Sequence, residues 1–360
     1  MFVLDSHCDT PSQIYRLRDM SKDNDHAQID FPKLKRGRVD GAFFALYVPA
    51  ALGHDEGFDY ASVLLDATVR AVYENNSCAA FAKSISEAAI NKARSLFSVF
   101  LGLENGAPIG NDLSKVKYFY DKGIRYITLC HSLDNQICDS CASSQKKWGG
   151  LSPFGREVVT EMNRLGMLVD VSHASDDTFY DVLKYSDAPV VATHSCCRAI
   201  SDHPRNLSDE MIRALAAAGG VVQINFYPLF LDASFGTIIS GSDVIDRGES
   251  VENDFIADPS DPDRISAWNK IQDKLMSLPR PSFKRIADHI DHVAGLVGID
   301  HVGIGTDFDG IAVTPSGMEN ISMLPMLFEE LGSRGYTETD LEKIASGNFF
   351  RVFGHHPGNR

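Results

Sequence analysis

The chain has 360 residues, 44% of them apolar and 23% charged, with a formal net charge of −15, which fits a large soluble fold and argues against nucleic acid or an anionic membrane surface as main partner. No stretch approaches the roughly 18–20 apolar residues of a membrane span. Seven cysteines, an odd number, suit a reducing compartment; with no basic n-region or cleavage-type site at the start, the expectation is a cytoplasmic protein.

The first apolar run, 2–5 (FVLD), leads at once to Asp5, His7 and Asp9. Alternation along an extended strand puts these three on one face, with Cys8 pointing the other way to pack. The runs 42–48 (AFFALYV) and 98–103 (SVFLGL) follow, separated by a helical segment at 58–74; the second ends in Glu104. A helix at 113–122 precedes the run 125–130 (RYITLC), which ends in His131. The next loop carries Cys138 and Cys141, a single C-x-x-C with no second pair to complete a structural zinc site. "SPFGREVVTEMNRLG" at 152–166 has a Ser cap, Pro behind it and a Gly stop, the signature of a helix.

The run 168–171 (LVDV) ends in His173, and 189–193 (PVVAT) ends in His194. "LSDEMIRALAAAGG" is a second capped helix, and 220–226 (GVVQINF) a further strand. Residues 228–282 are long, polar and rich in Asp, Ser and Pro; we read them as an excursion forming a lid or rim. Their "DPSDPD" lacks the spacing of an EF-hand and reads as a solvated loop. A helix at 283–297 precedes the run 301–306 (HVGIGT), which ends in Asp307 and Asp309. The tail 334–360 reads as a closing helix and a frayed polar end.

Eight buried-type strands alternating with helices predict a parallel sheet closed into a (β/α)₈ TIM-type barrel, a single catalytic domain over 1–360. The rival, an open doubly wound sheet, would want a Gly-rich phosphate loop, and none is present. In a parallel barrel all strand C-termini face one mouth. Four histidines (His7, His131, His173, His194), Asp9, Asp307 and Glu104 would meet there. Imidazole and carboxylate without thiolate suit zinc, manganese, iron or cobalt. His7-x-Asp9 can serve one ion, His173 and His194 a second, and Glu104 can bridge them, with Asp307 handling the proton. The reaction class is metal-assisted hydrolysis of an amide, ester or phosphoester.

"DSHCDTP", "GLEN", "YITLCHS", "GLSPFGREVVTEMNRLGMLVDVSH", "PVVATHS", "GIGTDFDG" and "NFFRVFG" together resemble the membrane (renal) dipeptidase family, over nearly the whole chain. The resemblance implies a barrel with two zinc ions: His7 and Asp9 on one, His173 and His194 on the other, Glu104 between. It further implies that His131 meets the substrate carbonyl, that Asp307 is the acid/base residue, and that Arg205 in "HPRN" grips the substrate carboxylate. Tyr227 would line the pocket. The implied substrate is a free dipeptide, with a D-residue tolerated at the carboxyl end, and a homodimer is in keeping with the family. Cys8, "ENGA" and the loop "CDSCASSQKKW" depart from the family pattern and bear on the substrate pocket. The alternatives are an N-acyl-D-amino-acid deacylase and a metal-dependent peptide-binding barrel without turnover.

Overall fold

Apolar runs too continuous to alternate between core and water must be covered on both faces. They form β1 (Leu4–Cys8), β2 (Gly41–Tyr47), β3 (Ala79–Phe81), β4 (Phe97–Glu104), β5 (Ile124–Thr128), β6 (Leu168–Asp170), β7 (Val191–Ala192), β8 (Val221–Ile224) and β9 (Val302–Ile304). This computed structural model describes residues 1–240, 251, 258 and 261–360. The sheet runs β1-β2-β4-β5-β6-β7-β8-β9 with every neighbour parallel. The short β3 pairs only with the start of β4 and lies off this path. It was not expected, because "AAF" carries no β-rich pattern.

The path curls into a nearly closed barrel. β9 meets β1 largely through residues just past the strands: Asp307 N–H donates to His7 O at 3.0 Å and Asp9 N–H to Phe308 O at 2.9 Å. The Asp5 carboxylate accepts from Thr306 N (2.8 Å) and Thr306 Oγ1 (2.6 Å). This corrects the reading of strand 1. The ladder between β1 and β2 shifts register between Asp5 and Cys8, a bulge that re-aims side chains. Asp5 therefore closes the barrel, while His7 and Asp9 turn to its mouth. Cys8 does pack away from them, with its thiol on Phe43 O at 3.5 Å.

Inside the barrel, Leu4, Phe43, Phe100, Tyr126, Leu168, Val191 and Val221 form one layer. The helix Asn348–Phe353 plugs its lower end, with Phe349 and Phe353 against Phe43 at ring-centroid distances of 5.2 and 5.7 Å. The tail is not frayed as expected: Asn359 is buried and its amide donates to Gly166 O at 2.7 Å. The helices His54–Glu74, Ser114–Asp121, Pro153–Leu165, Asp209–Ala217 and Lys284–Val297 realise the segments expected from the caps and periodicity. Ser152 accepts from Gly155 N at 2.8 Å, and Gly166 ends that helix at φ 79°. The 228–282 excursion includes the helices Pro228–Leu231, Ser234–Ser240 and Pro262–Met276. Asp261 of its acidic stretch caps the last of these, and the rest of "DPSDPD" partly lies outside the described residues.

One glycine has a direct bearing on the site. A Cβ on Gly102 of β4 would overlap the Tyr126 ring, and Tyr126 reaches across the barrel to hydrogen-bond His7 Nδ1 at 2.8 Å. Gly102→Ala is expected to lower stability by about 1–3 kcal/mol, the usual cost of overpacking, measured as a lower denaturant midpoint at unchanged slope. A midpoint equal to wild type would show that the ring has room to move.

Candidate functional site

The strand ends bring the expected residues together. Glu104 closes β4, and Asn105 follows it at φ 76°, held by bonds from its amide to Val48 O and from Ala107 N to its carbonyl oxygen. His173, Asp307 and Asp309 also adopt positive φ, at 67°, 61° and 68°. Such strain persists only where the surroundings over-determine it, and it gathers at functional sites.

Glu104 lies at the centre, buried. Its Oε1 is 3.1 Å from His173 Nε2 and 3.4 Å from His194 Nε2; its Oε2 is 3.4 Å from His7 Nε2. His7 Nε2 is 3.8 Å from Asp9 Oδ2. Burial alone would raise the Glu104 carboxyl, but His7 and the imidazole hydrogen bonds together hold it well below its usual range. Burial opposes charge on His7, yet Glu104 and Asp9 raise its pKa well above normal. Burial, then Glu104, raises Asp9. His173 and His194 are pushed well down, by burial first and Arg205 among the further causes.

These residues fit divalent metal. His173 Nε2 and His194 Nε2 stand 3.0 Å apart, and both nitrogens also face one carboxylate oxygen. Buried His7 Nε2 and Asp9 Oδ1 have no hydrogen-bond partner. Two groups of closely spaced donor atoms arise, Glu104/His173/His194 and His7/Asp9/Asp307. Imidazole nitrogens and carboxylate oxygens converging at this spacing from several strands suit a divalent cation.

A cavity of about 500 Å³ opens above them, lined by Asp9, Glu104, His131, His173, Arg205, Tyr227 and Asp307 among others. His131 Nε2 is 4.0 Å from Glu104 Oε1, and its buried Nδ1 has no partner. Burial, aided by Arg205 against Glu104, lowers its pKa, so the ring is neutral near pH 7. Asp307 is pushed up to about 6 by burial, and its Oδ2 accepts from Asn225 Nδ2 at 2.8 Å. Arg205 is buried, donating to Ser195 Oγ (2.9 Å) and His194 O (2.8 Å), while its Nε has no partner. No apolar run or periodicity singles out Arg205; the structure places it in the cavity wall. Tyr227 joins it there, its backbone N–H on Asn225 Oδ1 and its ring 4.9 Å from Phe230.

Asp309 borders the cavity as expected, and its carboxylate accepts from Arg18 at 2.5 Å and Thr10 at 2.8 Å, buttressing the first loop. The "CDSCASSQKKW" loop is ordered by Asp139, which accepts from Lys147, Trp148 and Gly150 backbone N–H groups. It ties to the site through Cys141 N–H on His173 O (2.8 Å) and a short hydrogen bond from Ser140 Oγ to His131 O. All seven cysteines are free. Sequence reasoning missed Asn225, Tyr126, Asp170 and Thr193. All four sit within expected strands, where nothing local distinguishes a polar residue that holds a functional group from one that fills the core.

The sequence pattern of the membrane dipeptidase family (peptidase family M19) matches residues 1–357. The chain belongs to that family. Relatives include dipeptidase aclJ of Aspergillus oryzae, 32% identical over 351 residues that cover 95% of this chain and 73% of that protein. Dipeptidase verJ of Clonostachys rogersoniana is 32% identical over 344 residues, 91% of this chain and 75% of its own. Among solved structures, the probable dipeptidase PvdM from Pseudomonas aeruginosa superposes with TM-score 0.83 at 27% identity, covering 98% of this chain and 95% of that one. A metallopeptidase from Rhodobacter sphaeroides, solved with a phosphinate mimic of the dipeptide L-Ala-D-Ala, has the same fold at TM-score 0.80 and 24% identity, with 98% of each chain covered. The membrane dipeptidase family makes this chain a metal-dependent dipeptidase, a hydrolase of peptide bonds. Despite the family's name, no helix among the described residues is long and apolar enough to cross a membrane.

Proposed function

We propose that this dipeptidase works with two zinc ions and cleaves free dipeptides, accepting a D-residue at the carboxyl end. The observation that carries this reading is Glu104: one carboxylate facing His7 with one oxygen and the His173/His194 pair with the other. His7 and Asp9 would hold one ion, His173 and His194 the other, and Glu104 both. Two such ions would supply carbonyl polarisation and a lowered pKa for bound water. The stereochemical part of the proposal is in keeping with the dipeptide mimic bound by the Rhodobacter protein of the same fold.

The chain's own groups would do the rest. Arg205 is oriented by Ser195 and His194, so its unpartnered Nε–H and remaining N–H hydrogens can take the substrate carboxylate as a fork. Neutral His131 donates an N–H toward the carbonyl oxygen as it gains charge. Asp307, fixed by Asn225, takes a proton from the attacking water as the C–O bond forms. It returns that proton to the amine nitrogen as the C–N bond breaks.

Purified zinc-loaded protein should cleave L-Ala-L-Ala, L-Ala-D-Ala and Gly-D-Ala, and lose this activity to chelator. Cleavage of N-acetyl-D-Ala alone would make it a deacylase; two bound zincs with no cleavage would favour a peptide-binding barrel. Arg205→Ala removes the guanidinium, and losing one partner of a buried charge pair costs about 2–5 kcal/mol, so KM should rise about 30-fold or more while kcat falls less. An unchanged KM would remove Arg205 from carboxylate recognition.

Asp307 must be ionised to accept a proton, so activity should fall as pH drops through its pKa. Burial sets that value at about 6 in the chain itself, and a neighbouring cation favours the carboxylate further. The acid limb of kcat/KM is therefore expected at or below pH 6; a limb above pH 7 would assign it to another group.

A further inference from the structure

A third group of closely spaced donor atoms, His7, Asp170 and His194, also meets the geometric requirement for a metal. Its hydrogen bonding points elsewhere. Asp170, at the end of β6, is fully buried. Its Oδ1 accepts from Ser172 N (3.0 Å) and Thr193 N (2.9 Å). Its Oδ2 accepts from Thr128 Oγ1 (2.6 Å) and Thr193 Oγ1 (2.6 Å). A carboxylate has about four lone-pair sites, and here four donors occupy them. No lone pair is left for an ion.

The consequence falls on Thr193. Its hydroxyl has one proton, and it donates that proton to Asp170 Oδ2. Thr193 Oγ1 also lies 2.8 Å from His194 Nδ1. With its own proton committed, the oxygen must accept there, and His194 must carry its proton on Nδ1. Nε2 is then a bare lone pair, and it is Nε2 that faces His173 and Glu104. We propose that Asp170 and Thr193 form a positioning relay that fixes the tautomer and ring orientation of His194 for metal binding, with Asp170 itself not a ligand. The relay also explains the two-residue β7: Thr193 N–H leaves the strand ladder for the Asp170 side chain. The inference rests on the metal-binding reading of His194 above.

The test is zinc affinity, read by competition with a fluorescent chelator, with thermal unfolding alongside. Thr193→Val keeps the shape and removes the acceptor. Partners of this kind are worth about 10–100-fold in metal affinity, so one of two zincs should weaken by that factor. Thr193→Ser restores the hydroxyl and should recover wild-type binding, which a merely structural role for the methyl group would not predict. Two zincs held by Thr193→Val at wild-type affinity would overturn the relay, while a wild-type protein that binds no zinc would overturn the metal reading instead. The tautomer can also be read without a variant, by long-range ¹H–¹⁵N spectra of the histidine-labelled zinc form. Protonated Nδ1 on His194 is expected; protonated Nε2 would refute the relay even if Thr193→Val failed to fold.

Discussion

Glu104→Gln is expected to remove nearly all dipeptidase activity and to lower bound metal below the wild-type content. The side chain keeps its length, so the barrel should fold. What changes is that one oxygen becomes an NH₂, a donor with no lone pair to offer. Whichever way the amide turns, it presents that donor either to His7 Nε2, 3.4 Å away, or to the His173 and His194 nitrogens at 3.1 and 3.4 Å. One side of the centre therefore loses its carboxylate oxygen, and both lose the negative charge that offsets two cations. Residues that only support a ligand cost about 10–100-fold in affinity or activity when removed; a ligand shared by two ions should cost more. Elemental analysis after dialysis, with kcat/KM on one dipeptide, reads both effects. Full metal content with full activity would mean that Glu104 does not join the two halves of the site.

Asp307→Asn makes a different pattern. Its carboxylate is 2.8 Å from Asn225 Nδ2 through one oxygen and borders the cavity with the rest. An asparagine oxygen can still accept from Asn225, so shape and stability should hold. The proton acceptor is gone, and general acid–base catalysis is worth about 10²–10⁴-fold. The expected result is a kcat loss of that size with zinc content and KM little changed, and with the acid limb of the pH profile abolished. A variant that loses zinc in parallel with activity would recast Asp307 as a ligand beside His7 and Asp9, where its atoms also lie. Glu104→Gln and Asp307→Asn thus separate assembling the centre from moving the proton.

Much of this candidate site is legible in the sequence. His7, Asp9, Glu104, His131, His173, His194 and Asp307 all follow apolar runs, and a parallel barrel sends every strand end to one mouth. The inference needs only local patterns repeated along the chain. The motifs then supplied Arg205 and Tyr227, which no periodicity singles out.

Tertiary structure decided what depends on contact between distant segments. Strand alternation aimed Asp5 at the site, but a bulge and Thr306, 301 residues away, claimed its carboxylate for closing the barrel. Buried Asn225, Tyr126, Thr193 and Asp170 look like ordinary strand residues in sequence. Their roles come from partners 82, 119, 1 and 23 residues along the chain, namely Asp307, His7, His194 and Thr193. The tail read as frayed because it is polar, yet Asn359 finds a carbonyl 193 residues earlier. Sequence by itself determined which chemical groups end each strand, because hydrophobic periodicity and chain direction are local properties. Only the fold decided which of those groups are free to act and which are spent holding the others, because a hydrogen-bond donor can be assigned only once every acceptor within its reach is known.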